Sequence, residues 1–319
     1  MVTTEVQPES RISRVGLAPG PLRVAISGAS GLVGSALATA LTADGHRVLR
    51  LVRHASDDPS MIHWDYPTGR IDAAKLDGID ALVHLAGENV ASGKWNPRLK
   101  ARIRDSRVLG TRLIAETLAT LDLPPRVLVQ ASAIGFYGHQ GDDPIDESCS
   151  RGEGFLADTC EAWEAATQAA EFAGLRVPKL RIGVVLSPAG GALRKMLPIF
   201  RLGLGGRLGN GRQYMSWIAL GDLVEIIRFA LYEPTLDGPI NAVAPFPVTN
   251  AEFTKTLARV LGRPALFPVP EFILVQMAGG LAREALLASA RVLPTRLEEA
   301  GFRFQYPELR PALESLLLR

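Results

Sequence analysis

Short apolar runs recur along this chain, separated by longer amphipathic stretches. That alternation builds a parallel sheet with helices on both faces. Runs near Arg23–Ser27, Arg47–Val52, Ala81–Leu85, Arg126–Ala131, Lys179–Leu186 and Ile240–Ala242 predict strands, and Gly31–Ala43, Pro97–Thr120 and Gly154–Ala173 predict crossover helices. After Leu186 the texture changes: Pro188, Gly190 and Gly191 lead into a glycine-rich stretch from Gly203 to Gly211, and residues 187–217 read as a lid loop on the substrate side. From Asn250 onward the pattern is helical, broken by Pro264, Pro268, Pro270, Pro294 and Pro307, and it ends in an apolar helix over Leu309–Leu318. The expected fold is α/β, with a doubly wound parallel sheet over residues 21–245. A smaller C-terminal lobe, 246–319, is expected over the carboxyl ends of the strands, where open α/β sheets bind ligands.

The first run breaks into Gly28-x-x-Gly31-x-x-Gly34 and resumes as an apolar helix. Gly28 lets the chain turn sharply, Gly31 lets backbone approach a pyrophosphate, and Gly34 lets the helix pack on the strand. Ser30, Leu32 and Val33 share this turn, and free amides at the helix start face the anion. The pattern predicts a Rossmann-type dinucleotide site. At the end of the second run, where an NAD site usually carries Asp or Glu, stand Arg53 and His54. A guanidinium grips a 2′-phosphate through paired donors, so Arg53 favours NADP(H) over NAD.

With 319 residues, 47% hydrophobic and 21% charged, the chain has ample material for a large core. Its net charge of +2, with 35 basic residues among 33 acidic ones, gives no sign of a nucleic-acid or membrane partner. Cys149 and Cys160 lack metal or disulfide spacing, so a reducing cytoplasm is expected and no metal site. Residues 1–20 carry Glu5, Glu9, Arg11 and Arg14 without an apolar segment, and read as a flexible leader rather than a signal peptide. The basic residues of Pro97–Thr120 read mainly as a solvated face, with one or two, Arg107 among them, reaching cofactor phosphates. Asp142, Asp143, Asp146 and Glu147 read as a solvated loop. The expected partner is a small-molecule substrate or ligand, and an oligomer is compatible with the sequence.

Further landmarks follow in order: Leu85-Ala86-Gly87-Glu88-Asn89 then Trp95, Ser106-Arg107 with Gly110-Thr111, Ala131-Ser132-Ala133-Ile134-Gly135-Phe136-Tyr137-Gly138, Trp163-Glu164, Arg181 to Leu186, Trp217-Ile218 with Gly221-Asp222-Leu223, Asn241, Val292-Leu293-Pro294 and Gly301-Phe302-Arg303-Phe304. On these the chain resembles the extended short-chain dehydrogenase/reductases of the nucleoside-diphosphate-sugar epimerase type, and within them an atypical "epimerase family" subgroup. The resemblance implies cofactor contacts at Gly28, Ser30, Gly31, Leu32, Val33, Gly34, Arg53, Leu85, Ala86, Gly87, Glu88, Arg107, Ala131 and Val184.

It also implies a tyrosine acid/base assisted by a lysine four residues on, and this chain has no such pair. Tyr66, Tyr137, Tyr214, Tyr232 and Tyr306 are followed four residues later by Arg70, Gly141, Ile218, Leu236 and Arg310. Where the pair belongs stand Phe155 or Leu156, then Thr159 or Cys160, none of which supplies that chemistry. Ser132 keeps the serine position and Tyr137 shares its loop, so these are the catalytic candidates, with Glu88, Lys94, Trp95 and Asp158 as others near the expected cleft. Three readings remain open: an NADP-dependent oxidoreductase or epimerase with a relocated proton donor, a nucleotide or metabolite sensor without chemistry, and a scaffold that keeps the nucleotide as a structural ligand.

Overall fold

The structure, a computed structural model, describes Leu17 and residues 20–318; the leader expected over 1–20 lies outside the described residues except for Leu17 and Gly20. In chain order the first elements are β1 (Arg23–Ser27), α1 (Leu32–Ala43), β2 (Arg47–Val52), β3 (Met61–Asp65), β4 (Arg70–Ile71), α2 (Ala73–Leu76), β5 (Ala81–His84), α3 (Pro97–Ala119), β6 (Val127–Ala133), β7 (Pro144–Ile145), α4 (Phe155–Ala165) and α5 (Gln168–Phe172). There follow β8 (Pro178–Ile182), β9 (Val184–Ser187), α6 (Gly191–Arg201), β10 (Tyr214–Met215), β11 (Trp217–Ala219), α7 (Leu220–Tyr232), β12 (Gly238–Ala242), β13 (Val248–Thr249) and α8 (Asn250–Val260). The last are α9 (Glu271–Ala278), β14 (Arg291–Val292), α10 (Thr295–Glu299) and α11 (Leu309–Leu317).

The main sheet runs β12-β8-β6-β5-β1-β2-β3-β4, parallel except for the β3–β4 pair. Strand order reverses beside β1, which makes the sheet doubly wound. Side chains alternate across it. Val24 and Ile26 enter one core with Leu37, Leu41, Ile226 and Ile227, while Ala25 enters the other with Leu49, Leu82, Ile114 and Leu118. Leu17 packs into the first core. Among the described residues no helix is long and apolar enough to cross a membrane.

Four local expectations change. The run Lys179–Leu186 is two strands, because Gly183 passes so close to Ser216 that a Cβ would stand 2.6 Å from its carbonyl oxygen. There β8 leaves β12, and β9 takes up β11. The expected helix Gly154–Ala173 is divided into α4 and α5 at Thr167, whose hydroxyl meets the carbonyl of Glu164. Within 187–217, residues Gly191–Arg201 form α6, which buries Leu193, Leu197 and Phe200. Glu147 is buried rather than solvated: its carboxylate accepts the Asn241 amide at 2.9 Å and faces that of Arg296 at 3.4 Å. Burial pushes its pKa up.

At the end of β1, the Ser27 hydroxyl accepts the amides of Leu85 and Ala86, at 3.1 and 3.2 Å, and pairs with Nδ1 of the buried His84. With two amides donating to it, the hydroxyl's own proton goes to His84, which must stay neutral. Burial, with the charge of Arg107 adding to it, holds that imidazole's pKa down from 6.5 to about 3. The unfolded chain therefore binds a proton the folded chain refuses, and stability rises with pH between those two values. Urea melts should show stability falling as pH drops below about 6.5, by up to about 1.4 kcal/mol per pH unit, and His84→Gln should lack that component. Equal slopes for the two proteins between pH 6 and 5 would refute the assignment.

Candidate functional site

Because β1, β2, β5 and β6 run parallel, the turns that follow them gather along one edge of the sheet. The turn after β1 is crowded. Gly28 has φ +70, and a Cβ there would stand 3.0 Å from the Ala86 nitrogen; a Cβ on Gly34 would stand 2.2 Å from the Gly28 oxygen. Gly31 differs: its φ is −76, its amide donates to Gly28, and an added Cβ would meet only that carbonyl, at 3.2 Å. Gly28 and Gly34 are thus required by the fold, whereas Gly31 keeps an outer surface clear. No side chain caps the amides that open α1 at Leu32, Val33 and Gly34, which leaves them as anion donors. Leu32 packs against Gly190, where a Cβ would come within 3.1 Å, so the loop before α6 borders this cradle. Ser30 is exposed on its rim. A pyrophosphate fits these features.

Arg53 lies just beyond β2, whose Leu51 pairs with Ser27, and it is exposed with no ion-pair partner among the described residues. The turn after β5 brings Leu85, Ala86, Gly87 and Glu88 beside Gly28, and the guanidinium of Arg107 lies beneath it. A Cβ on Gly87 would be 3.1 Å from the guanidinium carbon. Nη1 of Arg107 donates to the carbonyls of Glu88 and Ile103, both at 3.0 Å, and the group lies over the Trp163 ring at 4.9 Å. Burial lowers its pKa. No carboxylate stands within ion-pair distance of it among the described residues; that of Glu88 instead faces Arg102 at 3.9 Å and Ser92. A half-buried cation that meets only carbonyls and an aromatic face is a candidate to face an anion.

The two catalytic candidates on the β6 edge occupy a different setting from the one expected. Ser132 is buried and donates to Glu164 at 2.6 Å. Glu164 also takes two hydrogen bonds from Arg181, each 2.9 Å, and Arg181 donates at 2.9 Å to the Tyr137 hydroxyl, which donates onward to Asn241 at 2.7 Å. Tyr137 is fully buried, and burial pushes its pKa up to about 12 despite Arg181 beside it. Both hydroxyls are consumed inside the protein because the Glu164–Arg181 pair needs every remaining lone pair and proton satisfied to tolerate burial. Ala131, buried on β6, and Val184, at the start of β9, are part of the same carboxyl edge.

At the start of α4, Leu156 packs on Gly135, and Cys160 lies near the same glycine with its thiol pushed up to about 12 by burial. The Leu156 amide donates at 2.8 Å to Glu284, which belongs to a π-helical turn over Ala282–Leu286. Trp95 sits edge-on to Phe155 at 5.1 Å, and the Lys100 ammonium stands 4.8 Å from the Phe155 ring. Trp95 abuts Gly280 and Lys94 donates to the Gln276 carbonyl at 3.3 Å, so this loop is tied to the C-terminal segment. Asp158 is exposed and paired with Arg151 at 2.6 Å. Sequence reasoning gave no role to Glu164, Arg181, Lys100 or Glu284, whose partners lie far along the chain.

The profile of the NAD dependent epimerase/dehydratase family matches residues 24–242, and that of a domain of unknown function, DUF1731, matches residues 269–316. The chain is 46% identical over 290 residues to epimerase family protein Mb2239 of Mycobacterium bovis, covering 91% of this chain and 96% of that protein. It is 35% identical over 299 residues to human epimerase family protein SDR39U1, covering 93% of this chain and 100% of the human one. The crystal structure of the human protein (isoform 2) with NADPH superimposes with a TM-score of 0.84 at 34% identity, over 92% of this chain and 99% of that one. On this evidence the chain belongs to the NAD dependent epimerase/dehydratase family.

Proposed function

We propose that this chain binds NADP(H) across the turns after β1, β2 and β5 and reduces a small carbonyl substrate without a tyrosine–lysine pair. The observation that carries the reading is the glycine cradle with an uncapped helix start beside Arg53, a cation that faces no acid. The NADPH in the human relative's structure supports it. Amides of Leu32 to Gly34 would hold the pyrophosphate, Arg53 the 2′-phosphate, and Arg107 would bring its charge to the turn after β5. NADPH bound there supplies a hydride.

Proton handling separates reduction from epimerisation. Reversible epimerisation needs a group that takes a proton as readily as it gives one. The Tyr137 phenol, raised to about 12, is a poor base, and the Ser132 proton is held by Glu164. Both act here as positioning groups for the β6 edge, and the donor for a one-way reduction is another group or water. One observation favours a second reading, a nucleotide sensor without turnover: Phe155 or Leu156 and Thr159 or Cys160 stand at the expected acid/base positions, and burial keeps the Cys160 thiol protonated. A screen of carbonyl compounds that follows NADPH absorbance decides between them. Consumption supports reduction, and tight NADPH binding with no consumption across the screen supports sensing.

Arg53→Ala should weaken NADPH binding by about ten- to a hundredfold, the loss of one charge-assisted phosphate contact, and leave NADH nearly unchanged in calorimetric titrations. Identical affinities of the unaltered protein for the two nucleotides would sink the proposal. Gly31 and Gly34 should separate as well. Gly31→Val should stay folded by circular dichroism while losing nucleotide, whereas Gly34→Val should fail to fold because its Cβ has no space. Nucleotide affinity retained in Gly31→Val would mean that the cradle does not hold the pyrophosphate. Tyr137→Phe leaves Asn241 and Arg181 each short of a partner, and should cost about 1–3 kcal/mol of stability without changing NADPH affinity or any turnover found. Turnover abolished in this variant with nucleotide affinity intact would restore Tyr137 as a proton donor.

A further inference from the structure

On the outer side of α8, away from the strand edge, the chain forms an open cavity of about 640 Å³. Ala251, Thr254 and Ala258 of α8 floor it, Ala265, Leu266 and Pro268 form its apolar wall, and Arg207, Lys255, Arg259 and Arg263 are its charged lining. None of the lining residues is acidic. All four cations are exposed, and none makes an ion pair among the described residues.

Sequence explains the uncompensated charge. No Asp or Glu occurs between Phe172 and Gly221, or between Phe253 and Pro270, although both spans carry several Arg and Lys. A net charge near zero for the whole chain conceals this asymmetry. The helix dipole accounts for cations at the end of α8, such as Arg259 and the following Arg263. It does not account for Lys255, one turn earlier, which repels Arg259, nor for Arg207, which arrives from a separate segment. The segment that brings Arg207 is fixed against the cavity wall by the bridges Leu204–Ala265 and Leu208–Val269. Like charges from two parts of the chain therefore converge on one hollow whose floor is held open by alanines.

We infer that this cavity is an anion site for a phosphate ester of nucleotide size, distinct from the cradle at the glycine turn. Guanidinium groups bind phosphate oxygens in pairs, and the apolar wall receives the organic part. The volume falls in the range of about 300–1,000 Å³ typical of small-ligand sites, and a concave hollow suits a small molecule better than a flat acidic surface or a bilayer.

The test is calorimetric titration with inorganic pyrophosphate at low salt, on the full chain. Binding should weaken by about tenfold or more when Arg259→Gln and Arg263→Gln are combined, weaken in high salt, and persist in Gly31→Val, which closes the glycine cradle. These side chains are exposed, so the fold should persist; if the double variant melts early, Lys255→Gln with Arg207→Gln repeats the measurement. No binding at millimolar pyrophosphate would overturn the inference. So would loss of binding in Gly31→Val but not in the α8 pair, which would place the anion at the glycine turn. Sedimentation with phosphatidylserine vesicles but not with neutral ones, in a protein that ignores pyrophosphate, would overturn it in favour of a lipid surface.

Discussion

A single hydroxyl fixes how closely two turns approach at the carboxyl edge of the sheet. Ser27 accepts the amides of both Leu85 and Ala86 and donates to His84, which draws the turn after β5 against Gly28. The approach leaves no room for a Cβ at Gly28, which is also in the left-handed region. Glycine there follows from the serine, and the position of Gly87 over Arg107 follows from both. The cost is a neutral histidine sealed in the core, with Nε2 lacking a partner. What the arrangement gains is a fixed approach of the turn after β5 to the glycine turn.

A second buried network sets the chemistry by what it withholds. Glu164 and Arg181 form an ion pair that is worth little net stability in a protein interior unless its surplus donors and acceptors are satisfied. Ser132, Tyr137 and Asn241 satisfy them. The same hydroxyls that sequence position marks for catalysis are thereby fixed as internal ligands of an ion pair, and α4 carries Phe155, Leu156, Thr159 and Cys160 with no tyrosine or lysine among its residues.

What was legible in the sequence was local. The spacing of Gly28, Gly31 and Gly34 obeys steric demands a few residues long, and the continuous apolar run within Arg23–Ser27 reports burial on both faces directly. The short strand Met61–Asp65 escaped because it owes its state to pairing with β2 and β4 rather than to its own pattern. The division of Lys179–Leu186 depended on Ser216 and Val243 crowding Gly183, a contact no window contains. Helix α6 was hidden by its flanking glycines and Pro198, although Leu193, Leu197 and Phe200 keep helical spacing. The pairing of Glu164 with Arg181, and of Glu284 with the Leu156 amide, joins distant segments and leaves no local trace.

The distribution of carboxylates ties these features together. Several of the acids that matter act as acceptors for backbone amides rather than as partners of surface cations. Glu284 caps α4 at Leu156, Asp222 takes the amides of Gln305 and Tyr306, and Glu147 takes that of Asn241. The first two of these join α4 and α7 to the C-terminal segment and the third ties the loop after β7 to β12, so negative charge is spent along inner seams of the molecule. Burial accordingly raises the pKa of Glu147 and Asp222, although the amides facing them pull the other way. The outer face of α8 has no such seam to close and carries no acid at its cavity, so its cations remain uncompensated. At these places acids face inward to join parts of the chain, whereas the four cations of the α8 cavity face outward with no acid among its lining residues.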